Sequence, residues 1–297
     1  MIVVQPIVRR MRRAAFAAFF VSAAVVAALA VDSGHGAAAQ ARPEAQYGRL
    51  EAQYTASIDG IPIGRGNWMV EISNNQYTAA ASGTTTGLIK FFTGAHGTSA
   101  AHGTIAGSQM VPTSYGNTVT WDGKVDDVRM ALSGGNVTDY AVEPPLPPAP
   151  DRIPVTDDDR RGVFDPMSSM LDRVAGTGDP VGPQACVRKV PVFDGRVRYD
   201  LRSEYKRMET VKANRGYAGP VAVCAVYFSP VAGYVPSRPA IKYLITLRDA
   251  EVWLAPIAGT RVLVPFRFTM PTPIGPGLLQ ATDFVSVALP HTAAKTE

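Results

Sequence analysis

The sequence predicts an all-β protein, mainly antiparallel, built as a strongly curved sheet or partly open β-barrel with one short helix packed against it. Three observations carry this reading. Apolar and polar residues alternate with a period of two along most of the chain, as strands with one buried face require. Asp-Gly, a strong hairpin signal between alternating segments, stands at 59–60, 122–123 and 194–195. One segment only, after Asp165-Pro166, carries convincing helical spacing.

The N-terminus has a different character. Arg9, Arg10, Arg12 and Arg13 precede an uncharged run of eighteen residues, Ala14 to Val31, and small residues lead to Ala39-Gln40-Ala41. A basic region, an apolar region and an A-x-A-like end describe a secretory signal peptide over 1–41. The apolar run also approaches bilayer-spanning length, so a retained anchor is the competing reading. The DSGHG that follows favours cleavage, and the arginine context fits the general export route better than a twin-arginine signal. The expected location is periplasmic or secreted, with membrane contact only through an uncleaved signal segment. Without residues 1–41 the chain loses four arginines and Asp32, leaving 25 basic and 24 acidic residues. A net charge of +1 gives no electrostatic ground for binding nucleic acid.

Residues 42–297 are expected to form a single β-rich domain. Tyr54 to Ile58, Gly64 to Ile72 and Gln76 to Thr85 alternate about turns at Asp59-Gly60 and Asn74-Asn75. Tyr115 to Trp121 and Val125 to Leu132 flank Asp122-Gly123. Residues 143–161, EPPLPPAPDRIPVTDDDRR, then break the pattern. Their prolines remove donors and fix φ, so an extended linker or crossing loop is predicted. The contiguous Asp157, Asp158 and Asp159 lack the alternation of a calcium loop and are assigned to a solvated run.

The predicted helix follows. Asp165 is its cap and Pro166 its first-turn proline, with Met167, Met170, Leu171 and Val174 on one stripe and Gly176 and Gly178 at its end. Such a stripe plugs a curved sheet, or, because methionine adapts to irregular apolar surfaces, faces an apolar ligand.

Cys186 and Cys224 are the only cysteines. In an exported chain they predict a disulfide closing 38 positions, for which loop entropy suggests about 3–4 kcal/mol. Isolated cysteines without nearby histidine do not make a zinc site. Later strands are predicted at Val221 to Phe228 (apolar on both faces and hence central), Ile241 to Leu247, Glu251 to Ile257, Arg261 to Met270 and Leu278 to Leu289. Val262, Val264, Phe266, Phe268 and Met270 are placed on one face by parity. The total comes to about ten to twelve strands, enough for a sheet that bends on itself.

VPVFDGRVRYDL, residues 190–201, crowds two arginines and two aspartates together. With a two-residue turn at Asp194-Gly195, Phe193 faces Arg196, Val192 faces Val197 and Lys189 faces Asp200. The apolar residues then share one face. Lys189, Arg196, Arg198 and Arg202 form a candidate anion-binding stripe on the other.

The early Tyr54, Ala56, Gly60, Gly64 hairpin, FDPMSSML, FDGRVRYDL, GPVAVCAVYFSPVAGY and EVWLAP resemble, in that order, the DUF3108 family of uncharacterised exported bacterial proteins. The resemblance covers about residues 50–290 and implies a secreted β-rich architecture. The family has no established activity, so no chemistry is implied.

Signatures of chemistry are missing from the sequence. It holds no GxSxG, HExxH or Walker loop and no spaced Cys/His cluster. Gly60, Gly64 and Gly66 have the wrong spacing for a dinucleotide fingerprint. His96 and His102 lie in a small repeat, AHGTSA then AHGTIA, whose glycines suggest an irregular, solvated connection. His35 leaves with the signal segment and His291 sits in a polar tail.

No catalytic residue, metal or cofactor is therefore expected. The expectation is a non-catalytic envelope protein holding an apolar ligand, a lipid or acyl chain, in the concave face near Met167, Met170, Leu171, Phe266 and Phe268. Two alternatives stand beside it. One is a cell-envelope glycan hydrolase using Asp194, Asp200 or Glu204. The other is a periplasmic interaction module using the linker or an open sheet edge.

Overall fold

Fifteen strands join one mainly antiparallel, unclosed sheet in a computed structural model that describes residues 47–86 and 94–290. Residues 1–41, the predicted signal peptide ending at Ala39 to Ala41, and His291 lie outside the described residues. Seven strands form an up-and-down meander: β1 (Gly48–Ile58), β2 (Ile61–Ser73), β3 (Gln76–Thr85), β4 (His96–Ala106), β5 (Gln109–Trp121), β6 (Lys124–Ser133) and β7 (Asn136–Glu143). A long connection holds the two-residue β8 (Asp172–Arg173). Then come β9 (Arg188–Phe193), β10 (Arg198–Lys212), β11 (Arg215–Gly216), β12 (Ala218–Ala232), β13 (Glu251–Pro256), β14 (Val262–Thr272) and β15 (Gly275–Ala288). The last strand pairs with β1, so the two halves share one ladder running from β7 at one edge to β9 at the other.

The predicted turns at Asp59-Gly60 and Asp122-Gly123 are two-residue hairpins with positive φ at both positions, the geometry that matches strand twist. Val221 to Ala225 are buried on both faces, as the apolar run required. The histidine repeat departs from expectation. Residues 96–106 form the regular strand β4, with one irregularity after His102. The glycines there are packing positions and not loop signals: a Cβ on Gly103 would stand 2.4 Å from the Tyr77 ring.

The Asp165 helix is also corrected. Asp165 Oδ1 does accept the N–H groups of Met167 and Ser168, each at 2.9 Å. Only one 3₁₀ turn follows, Ser168–Met170, before the chain extends into β8. Pairing of β8 with β14 ends the helix early. The only α-helix among the described residues, α1 (Pro239–Thr246), replaces the predicted strand at 241–247. Pro239 is pre-set for a helix start, and Ile241, Leu244 and Ile245 stand at i, i+3 and i+4, helical spacing, although Ile241, Tyr243 and Ile245 also keep strand parity. None of its residues is buried, so α1 plugs nothing.

The concave interior is a filled core. Leu50, Val70, Ile72, Tyr77, Val221, Phe266 and Phe284 are essentially inaccessible, and Met167, Leu171 and Val163 pack among them from the connection. A second layer lies on the opposite face of β12–β14. There Val174, Ala185, Leu254, Leu263 and Ala222 surround the Cys186–Cys224 disulfide.

VPVFDGRVRYDL lies at the seam where the sheet fails to close. Its register is two residues away from expectation: Phe193 faces Arg198, so the loop spans four residues, Asp194–Val197. Asp194 Oδ1 accepts the N–H groups of Arg196 and Val197 at 2.8 and 2.6 Å, which makes the turn on the aspartate side chain. Gly195, at φ +93°, presses on β6 and β7; a Cβ there would come 2.6 Å from Val128 Cγ1. Arg196 pairs with Asp126 of β6 at 2.6 Å, and Phe193 meets Tyr140 of β7 edge-on at 5.8 Å. Residues 162–164 bind both edges: Val163 N–H donates to Gly135 O, Phe164 N–H to Pro191 O, and Phe193 N–H to Phe164 O, at 2.7–2.9 Å. These bonds tie the β6–β7 turn to the β9 edge, while β7 itself stays largely exposed.

The linker 143–161 is a crossing loop. Ile153 exchanges backbone bonds with Gly233 and Tyr234 beyond β12. Asp157, Asp158 and Asp159 are occupied by Arg160, Arg161 and Thr156 respectively.

The Asp165 cap gives a pH-dependent prediction. Burial pushes this carboxyl above its usual range, against the hydrogen bonds that favour ionisation. A carboxyl with a raised folded pKa stabilises fully below the unfolded value, and the contribution is lost as pH rises through the folded value. Asp165→Asn keeps the acceptor and cannot ionise, so its advantage in thermal midpoint over wild type should grow as pH rises above the ordinary carboxylate range. Asp165→Ala, which loses both bonds, should cost about 1–2 kcal/mol. Parallel melting curves of variant and wild type across pH would contradict this.

Candidate functional site

An apolar groove of about 340 Å³ opens on the same sheet face as the disulfide layer. Its floor comes from five strands: Leu201 of β10, Val226 of β12, Leu254 of β13, Phe268 of β14 and Leu279 of β15, with Val190 of β9 beside them. Met170 and Ala185 form the rim. The parity of each strand explains the arrangement. Trp253 and Ala255 point into the core, so Leu254 between them points out.

A bulge creates the site. In the β13–β14 pairing Trp253 faces Arg267 but Leu254 faces Pro265, leaving Phe266 as the extra residue. Pro265 has no N–H to donate to the ladder, and proline in sheets is confined to such irregular positions. One extra residue reverses parity. Val262, Val264 and Phe266 therefore enter the core, while Phe268 crosses to the groove.

The five residues expected to face a ligand divide accordingly. Met170 and Phe268 line the groove, and Met170 is 40% exposed. Met167, Leu171 and Phe266 are core, at 2%, 0% and 0% exposure. Sequence reasoning missed Val190, Leu201, Val226, Leu254 and Leu279, whose apolar character looked like ordinary strand burial.

The candidate anion stripe is not a free positive surface. Lys189 and Arg198 both meet Asp200, at 3.0 and 2.6 Å, Arg196 meets Asp126, and Arg202 meets Glu204 and stacks on Tyr227 at 4.2 Å. The Lys189–Asp200 pair forms although the register differs, because a shift of two preserves the face. Burial works against Asp200 ionising, but the bonds from Arg198 and Lys189 outweigh it and hold the carboxyl low. Of the three carboxylates proposed for hydrolysis, Asp194 shapes its loop, Asp200 is doubly paired, and Glu204 is held by Arg202 and by Tyr227 OH at 3.2 Å. His96 and His102 are exposed on the same side of β4, and no metal-ligand cluster occurs among the described residues.

The quoted motifs thus occupy structural positions. Tyr54 to Gly64 makes the β1–β2 hairpin, FDPMSSML the capped turn, FDGRVRYDL the seam, and EVWLAP the strand opposite the bulge. The model of DUF3108, described as a protein of unknown function, matches residues 53–282. This chain belongs to the DUF3108 family. No curated protein matches it in sequence. Among solved structures it is similar to the β-barrel-like protein of domain of unknown function DUF1849 from Brucella abortus. That likeness has 10% identity and a TM-score of 0.46, covering 82% of this chain and 98% of the other.

In this DUF3108 chain the groove carries charge at two places: Arg202, which is paired with Glu204, and a more buried wall made by Arg188 and Asp172. Arg188 Nε lies 3.5 Å from Asp172 Oδ1, with side chains 22% and 12% exposed. Burial pushes the Asp172 carboxyl up and the Arg188 guanidinium down, and each partner's charge opposes the other's shift. A larger trough lies across β15 and β1–β4, but Gln53, Asn67, Ser82, Thr98 and Asp283 give it a polar lining. Apolar walls with few polar groups mark small-molecule sites, and the groove has that character.

Proposed function

We propose that this is a non-catalytic, exported cell-envelope protein that binds an apolar ligand, a lipid or acyl chain, in the groove between Met170 and Phe268. The observation that carries the reading is the contiguous apolar floor over five strands, left uncovered beside a filled core. Exposed apolar patches of this kind mark binding sites. Export is supported by the signal-like N-terminus and by a disulfide, which persists in oxidising compartments. The interior of the sheet, occupied by Met167, Leu171 and Phe266, is not assigned the ligand.

Native mass spectrometry of gently purified protein tests the reading. A lipid-sized adduct, or uptake of added fatty acid, is expected for wild type and should be lost in Val226→Trp, which fills the groove. A clean apo mass with no uptake contradicts it.

A further inference from the structure

Arg188, Asp172 and Val190 line a second cavity as well as the groove. This cleft, of about 540 Å³, has Arg173 and Lys189 among its walls. The ion pair therefore stands as a partition between an apolar space and a polar, mainly basic one. Arg188 is weakly held for a buried guanidinium. Its contact with Asp172 is 3.5 Å, and Nη1 and Nη2 donate to the carbonyls of Ser169 and Leu171 at 3.3 Å. These distances lie beyond the 2.7–2.9 Å typical of charge-assisted N–H···O bonds.

We propose that the ligand of the groove is a single acyl chain ending in an anionic group, with Arg188 gripping that group at the partition. The proposal rests on the groove reading above and adds the head group. Charge complementarity selects an anion: Arg173, Arg188 and Lys189 face the cleft against Asp172, while Lys189 also engages Asp200. A planar guanidinium grips carboxylate or phosphate by paired N–H bonds shorter than those it now makes. A volume near the low end of ligand pockets, about 300–1,000 Å³, suits one chain better than two.

Calorimetry with dodecanol, dodecanoate and dodecyl phosphate, each below micelle-forming concentrations, tests it. Either anion should bind at least about tenfold tighter than dodecanol, the scale of one charge-assisted bond. The tighter anion identifies the head as carboxylate or phosphate. Asp172→Asn, which removes the competing carboxylate, should tighten the anions further. Arg188→Met with Asp172→Asn removes the pair together, so no buried charge is stranded; dodecanol binding should persist and the anion advantage vanish. Equal binding of all three probes by wild type overturns the anionic head and leaves the groove intact. Binding of none overturns both.

Discussion

Phe266→Ala should cost about 3–5 kcal/mol of folding stability, and Phe268→Ala no more than about half of that. The two phenylalanines are two residues apart, and simple alternation makes them equivalent. The bulge at Phe266 separates them. Phe266 is fully buried against Phe284, with ring centroids 5.4 Å apart, and against Tyr217 at 6.4 Å. Its truncation leaves a cavity in a packed core, where the lost transfer energy and the unfilled volume add. Phe268 is partly exposed and lines the groove. Its truncation should spare the fold and weaken apolar ligand binding. Denaturant unfolding and ligand titration of both variants measure the split. Equal stability losses, or binding lost only in Phe266→Ala, would contradict the assignment.

Loss of the Cys186–Cys224 disulfide is the second large effect. The bond ties the segment after β8 to β12 across 38 positions. Freeing a loop of that length costs about 3–4 kcal/mol in chain entropy. For a domain of this size that corresponds to a fall of about 6–16 °C in melting temperature. The double Cys186→Ser, Cys224→Ser variant and the reduced wild type should melt alike. The disulfide layer also borders the groove through Ala185 and Leu254, so the rim should loosen and ligand affinity fall together with stability. An unchanged melting temperature on reduction would contradict both statements.

The architecture was legible because period-two alternation and Asp-Gly turns are local signals. The Asp59 and Asp122 hairpins form as predicted, and the doubly apolar run at Val221 is central. What failed depended on distant partners. Asp194-Gly195 looks like the other two pairs, but Gly195 packs on Val128 and Val142 and the loop opens to four residues. The Asp165 cap forms, and pairing of Asp172 and Arg173 with β14 stops the helix after one 3₁₀ turn. The site suffered most, because the bulge that sends Phe268 outward arises from pairing across two strands. Pro265 was the available clue: a proline inside an apparently continuous strand signals a broken ladder. The charged stretch at 190–201 reads as a potential site, but it packs at the seam against β6 and β7, its arginines committed to nearby carboxylates.

The central claim is that the ligand lies in the groove on the disulfide face and not inside the sheet. A crystal of the protein with a fatty acid brominated at its tail tests this most directly. The account predicts an anomalous bromine peak among Val226, Leu254, Phe268 and Leu279. A peak in the polar trough of Gln53 and Asn67, or bound fatty acid inside the core beside Met167 and Phe266, would contradict it.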